Sequence, residues 1–167
     1  TEIDQDENAG QLTARLSVLA AELIINTLDA LSCNHLCPVA QNSSLATYAP
    51  MIAKEKRVIP WGATAREIHN LVRGVYPFTT AVSFYGGIAY KIHESAVIED
   101  TSRAQPGEVL VAGKRLLVAC GSGTVLEISR IQAPGKRTLP AAEFLKGSSI
   151  AAGFRFDASP PCDEGGL

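Results

Sequence analysis

The groups in this 167-residue chain that can do chemistry are four cysteines, three histidines and a scattered set of lysines and arginines. Cys33 and Cys37 bracket His35, but no second pair follows at ligand spacing. Reduced thiols are therefore expected rather than a zinc site. His69 and His93 have no carboxylate or nucleophile at a spacing that would make either a general base, so structural roles are expected of both. Gly121-Ser122-Gly123 has the glycines of a phosphate loop, yet strand-like residues flank it on both sides and it reads as a hairpin turn. What remains is positive charge. Lys54, Lys56, Arg57, Arg66, Arg73, Lys91, Lys114, Arg115, Lys136 and Arg137 are the candidate phosphate contacts, since each neutralised phosphate releases condensed counterions and gives salt-sensitive affinity. Trp61, Tyr76 and Phe78 have faces on which bases can stack, but each sits beside a proline and near an apolar helix, so burial is expected.

The charge is unevenly distributed. Residues 1–50 carry six acidic groups and one basic, whereas 51–156 carry fourteen basic and eight acidic; the tail from Asp157 adds three acids and brings the total to -2. A basic half attracts polyanions even when the whole chain is slightly acidic. The length suits one core or one small domain with an appendage. No apolar run approaches the roughly 20 residues of a spanning helix, and the start Thr1-Glu2-Ile3-Asp4 is acidic where a signal peptide is basic. A cytoplasmic protein with no membrane partner is expected.

The elements that must hold this charge follow from periodicity. Leu12, Leu16, Leu19, Leu23, Leu28 and Leu31 place one apolar stripe on a helix that Asn8 can cap, and nothing else in the sequence offers that stripe a partner. Cys33 to Ser44 reads as a linker, followed by a short helix in which Leu45, Tyr48, Ala49 and Ile52 share a face. Thr64 and Glu67 fit a capping box for a second helix, buried through Ala65, Ile68, Leu71 and Val72 and ended by Gly74. The period then changes to that of strands: a hairpin turning at Gly86-Gly87, strands at 108–111, 116–120 and 124–131, a helix near 141–146, and an edge strand at 153–156. The fold class expected is α+β, a small OB-like β-barrel preceded by a long helix and a linker.

Several stretches together carry a resemblance. Tyr48-Ala49-Pro50-Met51-Ile52-Ala53-Lys54-Glu55, Ile59-Pro60-Trp61, Ile68-His69-Asn70-Leu71-Val72-Arg73-Gly74 and Tyr76-Pro77-Phe78 come first; Gln105-Pro106-Gly107-Glu108-Val109, Val118 to Gly123, and Gln132 to Arg137 follow. Their order and spacing resemble the carboxy-terminal domain of the methionyl-tRNA formyltransferase family, and Asn8 to Leu31 resembles the last helix of that family's amino-terminal catalytic domain. The resemblance implies four regions: that helix in 1–32, a linker in 33–57, an OB-like tRNA-binding domain in 58–156 and a flexible tail in 157–167.

The resemblance also implies a function. The complete enzyme moves a formyl group from its co-substrate 10-formyltetrahydrofolate to the amino group of initiator methionyl-tRNA. The Asn, His and Asp that carry the transfer belong to a catalytic domain missing upstream of Thr1. Asn34-His35 are adjacent rather than one residue apart and are not promoted to that role. The chain itself is expected to have no cofactor and no activity alone, to be monomeric, and to grip the tRNA acceptor arm through the ten basic residues. A-form RNA is held mainly by backbone and shape, which basic residues spread over a barrel suit. The runner-up families are sugar-nucleotide formyltransferases and formyltetrahydrofolate dehydrogenases, which carry similar barrels; a stand-alone RNA-binding module is a further alternative.

Overall fold

The computed structural model describes residues 1–157. The expected tail lies outside them from residue 158 onward, as does Cys162. Helix α1 (Ala9–Ser32) is the one the leucine spacing calls for. The Asn8 side chain accepts from the Gln11 amide at 3.0 Å, and the Gln11 side chain accepts from the Asn8 amide at 2.9 Å, so two donors left free at a helix start are both satisfied. Its 24 residues exceed the roughly 12–15 below which an isolated helix is marginal. None of them is buried, and Leu16, Leu19, Leu23, Ile24, Ile25, Leu28 and Leu31 all face open space.

The helix expected across Leu45 to Ile52 is absent. Short 3₁₀ turns at Ser43–Leu45 and Glu55–Arg57 flank an extended stretch whose residues are exposed. Pro50 explains this: it cannot donate into a helix and it pushes Ala49 toward extended backbone, while a face with no surface to pack on offers nothing in return.

Helix α2 (Ala65–Val75) begins at the expected capping box, with the Glu67 carboxylate accepting from the Thr64 amide at 2.8 Å. These bonds to Thr64 hold the Glu67 carboxyl below its usual pKa. Gly74 does not end the helix, which runs on to Val75. Ala65, Ile68, His69, Val72 and Val75 form its buried face, with Leu71 half-buried beside them.

Strands β1 (Ala81–Tyr85), β2 (Ile88–Thr101), β3 (Val109–Ala112), β4 (Leu116–Ala119), β5 (Thr124–Gln132) and β6 (Leu139–Pro140) form one antiparallel sheet in the order β1-β2-β5-β4-β3, with β6 on β5. Gly86 and Gly87 turn β1 into β2 with φ of 55° and 77°, the two positive angles a tight primed turn requires. Alternation buries Ala81, Ser83 and Tyr85 and turns Val82 and Phe84 outward. Helix α3 (Ala141–Leu145) covers β5 and β6.

The class is α+β as expected, but the sheet does not close into a barrel by continuous pairing. The segment expected as an edge strand instead spans the gap through two isolated bridges, Glu108 with Arg155 on one side and Phe84 with Asp157 on the other. The Phe156 amide donates to Gly107 at 2.8 Å and the Asp157 amide to Phe84 at 2.8 Å, so one short stretch satisfies both exposed edges. Phe156 is buried and stacks on Trp61 at a centroid separation of 5.6 Å. The loop carrying Trp61 is clamped from the other side by Gly121, whose amide donates to the Trp61 and Ala63 carbonyls. A Cβ at Gly121 would meet the Gly62 oxygen at 1.9 Å, so only glycine allows that approach.

Candidate nucleic-acid interface

Backbone pairing brings part of the basic set together. Val58 bridges Val82, Val82 pairs with Lys91, and Lys91 pairs with Gln132; the Gln132 side-chain amide then donates to the Lys136 carbonyl at 2.6 Å. Paired residues present their side chains on the same face, and Val82 and Lys91 lie on the outer one. Three inter-strand steps make about 14 Å, a length over which a duplex carries several phosphates. Along that line lie Arg57, whose guanidinium donates to Thr79, and the exposed Lys91, Lys136 and Arg137, with Lys54 and Lys56 on the turn leading in. Lys91 also lines a cleft of about 300 Å³ with Val82, Ala89, Gln132 and Pro134.

The remaining candidates lie elsewhere. Lys114 and Arg115 form the turn between β3 and β4, at the far end of the strand order from β1. The Arg115 Nε donates to Glu127 at 3.0 Å, and this carboxylate raises the guanidinium pKa further. Arg66 is exposed on the first turn of α2. Arg73 is committed inward: its Nη1 donates to the carbonyls of Glu7 and Asp4 at 2.7 and 2.9 Å, and its Nε to Asn70 at 2.9 Å.

The aromatics divide. Trp61 is buried as expected, with its indole N–H donating to Ser83 at 2.8 Å, and Tyr76 is half-buried against His93. Phe78 departs from the expectation and is 72% exposed, one residue before the Thr79 that receives Arg57. Neighbouring prolines and a helix do not bury a ring when the chain has already passed the helix end, and no periodicity signal marks the difference.

Both histidines are held inside the fold, and His69, against the expectation from sequence, has a carboxylate nearby, Asp6 at 3.2 Å. His69 is buried with Nδ1 3.2 Å from the Ser95 hydroxyl, and His93, the extra residue at a bulge in β2, reaches the Gln132 side-chain oxygen at 3.0 Å. Among the described residues no three His, Cys, Asp or Glu side chains converge to hold a metal. Cys33 and Cys37 are exposed, whereas burial pushes the Cys120 thiol up to about 12. Maleimide at neutral pH is therefore expected to label Cys33 and Cys37 readily and to spare Cys120 until denaturant is added; mass spectrometry of the peptides reads the result. The same shift makes Cys120 stabilising below its ordinary pKa, a contribution that fades as pH climbs from about 9 toward 12.

No helix among the described residues is long and apolar enough to cross a membrane. A family model described as the formyl transferase C-terminal domain matches residues 51–149. The chain is 41% identical over 154 residues to a methionyl-tRNA formyltransferase of Geobacter sulfurreducens, covering 92% of this chain and 48% of that protein. It is 35% identical over 150 residues to the one from Clostridium novyi, covering 89% and 48%. The chain thus spans about half the length of the curated relatives it matches. Among solved structures, a variant of HypX from Aquifex aeolicus superposes with a TM-score of 0.65 at 18% identity, over 88% of this chain and 28% of that one, a likeness of fold. With the family model covering more than half of its residues and such relatives nine-tenths of them, this chain belongs to the formyl transferase C-terminal domain family, in the form found in methionyl-tRNA formyltransferases.

Proposed function

We propose that this chain is the tRNA-gripping half of a methionyl-tRNA formyltransferase, and that the complete enzyme carries a formyl group from 10-formyltetrahydrofolate to the amino group of initiator methionyl-tRNA. The observation that carries the reading is the basic line across the outer face of β1, β2 and β5. Arg57, Lys91, Lys136 and Arg137 stand there without carboxylate partners among the described residues, with Lys54, Lys56 and the exposed ring of Phe78 beside them. Lys114 and Arg115, at the other end of the sheet, and the inward-turned Arg73 are secondary or structural in this reading. The relatives' names favour this substrate over the sugar-nucleotide and dehydrogenase alternatives.

Formyl transfer needs a base to take the amine proton as nitrogen attacks the formyl carbon, and donors to stabilise the resulting oxyanion. The relatives are about twice the length of this chain, and the chemistry is assigned to a catalytic domain packed on the open apolar face of α1. The isolated chain is expected to bind tRNA with micromolar or weaker affinity that falls steeply with salt, and to transfer no formyl group when supplied with the folate. Fluorescence anisotropy from about 50 to 200 mM salt and a formylation assay test both halves. A flat salt response defeats the binding face, and turnover by the chain defeats the assignment of the chemistry elsewhere.

A further inference from the structure

Among the described residues, helix α1 meets the rest of the molecule chiefly through α2 and Tyr76 near its start, so the direction in which it leaves the sheet is decided by a few contacts there. Arg73 on α2 reaches out of its helix and donates from one nitrogen to two backbone carbonyls of the segment before α1, Glu7 at 2.7 Å and Asp4 at 2.9 Å. The Asn70 carboxamide holds the other side of the guanidinium at 2.9 Å, so the fork is aimed rather than free. The Gly10 amide donates to the Tyr76 carbonyl at 3.3 Å, and a Cβ at Gly10 would lie 2.5 Å from Pro77 Cδ, so backbone meets ring with no space between.

The segment that Arg73 grips is itself folded. Arg15 donates to both Glu7 carboxylate oxygens and to the Glu2 carbonyl, and this guanidinium holds the Glu7 carboxyl below its usual range. Behind these contacts lies a cleft of about 340 Å³ lined by His69, Arg73, Tyr76 and His93. His69 Nε2, buried and without a hydrogen-bond partner, is 3.2 Å from an Asp6 oxygen at an angle unsuited to a hydrogen bond. Arg73, Gly10 and His69 thus all meet the segment that leads into α1, with the hydrogen bonds made by Arg73 and Gly10.

We propose that Arg73 and Gly10 are positioning residues: together they form a clasp that sets the angle of α1 against the sheet, and so sets where a domain seated on α1 holds its reactive atoms relative to RNA lying on the basic line. The proposal rests on the two-domain reading above. The lever is long. At 1.5 Å per residue α1 extends about 36 Å, so a tilt of about 10° at Asn8 moves its far end by about 6 Å. Misplacement of reacting groups by about 1 Å can cost a hundredfold in rate. Arg73 thus acts on transfer through geometry, from a place off the RNA-facing line.

The exposed Cys33 at the end of α1 supplies one probe site. In chains carrying Cys37→Ser, Cys162→Ser and Lys146→Cys, nitroxides on residues 33 and 146 report the distance across the clasp by double electron–electron resonance, with labelled chain diluted in unlabelled chain. The expected result is one narrow distance, widened about threefold by Arg73→Ala, partly restored by Arg73→Lys, and displaced by Gly10→Ala. The melting temperature of the sheet is expected to stay within a few degrees of the parent, and the tRNA affinity within about twofold, in all three. An Arg73→Ala distribution matching the parent, or a parent distribution already broad, overturns the clasp. Loss of tRNA binding by every form, with the distances as expected, defeats the RNA reading and leaves the clasp standing.

Discussion

Exchanging Lys91 and Lys136 together for glutamate is expected to weaken tRNA binding by about 30-fold or more at 100 mM salt and to lower the slope of log affinity against log salt by about 2. Both side chains are exposed on the same outer face, one on β2 and one on the loop that β5 leads into, and the Gln132 bond to the Lys136 backbone holds that loop against the Lys91 strand. Each reversal removes a phosphate contact and adds a repulsion, roughly 1 kcal/mol apiece after screening, and about 1.4 kcal/mol is a factor of ten. Exchanging Lys114 and Lys146 together for glutamate serves as the comparison, because it changes the net charge by the same amount at a cleft away from the Lys91 face. Its expected loss is below about threefold. Anisotropy titrations of the parent and both variants at several salt concentrations read the difference. Equal losses at the two places mean that tRNA responds only to total charge, and the assignment of a face is then wrong.

Trp61→Ala is expected to destabilise the domain by about 3–5 kcal/mol, a large share of the 5–15 kcal/mol that holds a typical domain together. The indole is 3% exposed, stacks on Phe156, and donates its N–H to the buried Ser83 hydroxyl, which in turn donates to the Asp157 carbonyl at 3.0 Å. Its loss opens a cavity and frees the one segment that bridges both sheet edges. Ser83→Ala, which leaves the ring in place, is expected to cost nearer 1 kcal/mol. Urea denaturation followed by circular dichroism gives both values. A Trp61→Ala loss no larger than that of Ser83→Ala would mean that the segment 154–157 is held by its backbone bonds alone and that the stacking is incidental.

The legible parts of this molecule were those where one local rule dominates. The six leucines of α1, the Thr64 and Glu67 box, and Gly86-Gly87 each specify structure through groups a few residues apart, and each element formed where that spacing placed it. The failures have local explanations too, which lost to stronger terms. Leu45 to Ile52 had helical spacing, but Pro50 and the want of a packing surface outweighed it. Phe78 had burying neighbours in sequence but stays largely exposed in space. Arg73 looked like any surface cation on a basic stretch; its two carbonyl partners lie 66 and 69 residues away, and nothing in the chain's order announces them.

Composition and pattern along the chain were enough to establish a basic half, an apolar helix without a companion, an α+β class and a family resemblance, because these depend on residue types and short spacings. Which cations share a face is a different kind of property. It depends on register: Val58 beside Val82, Val82 beside Lys91, Lys91 beside Gln132. Register is a long-range choice in which a slip of one residue would turn Lys91 inward and Ile92 out, and the burial of Ile92 against Ile131 forbids it. Folding therefore placed part of a scattered set of cations along one line, and placed the Arg73 guanidinium on the carbonyls of Glu7 and Asp4.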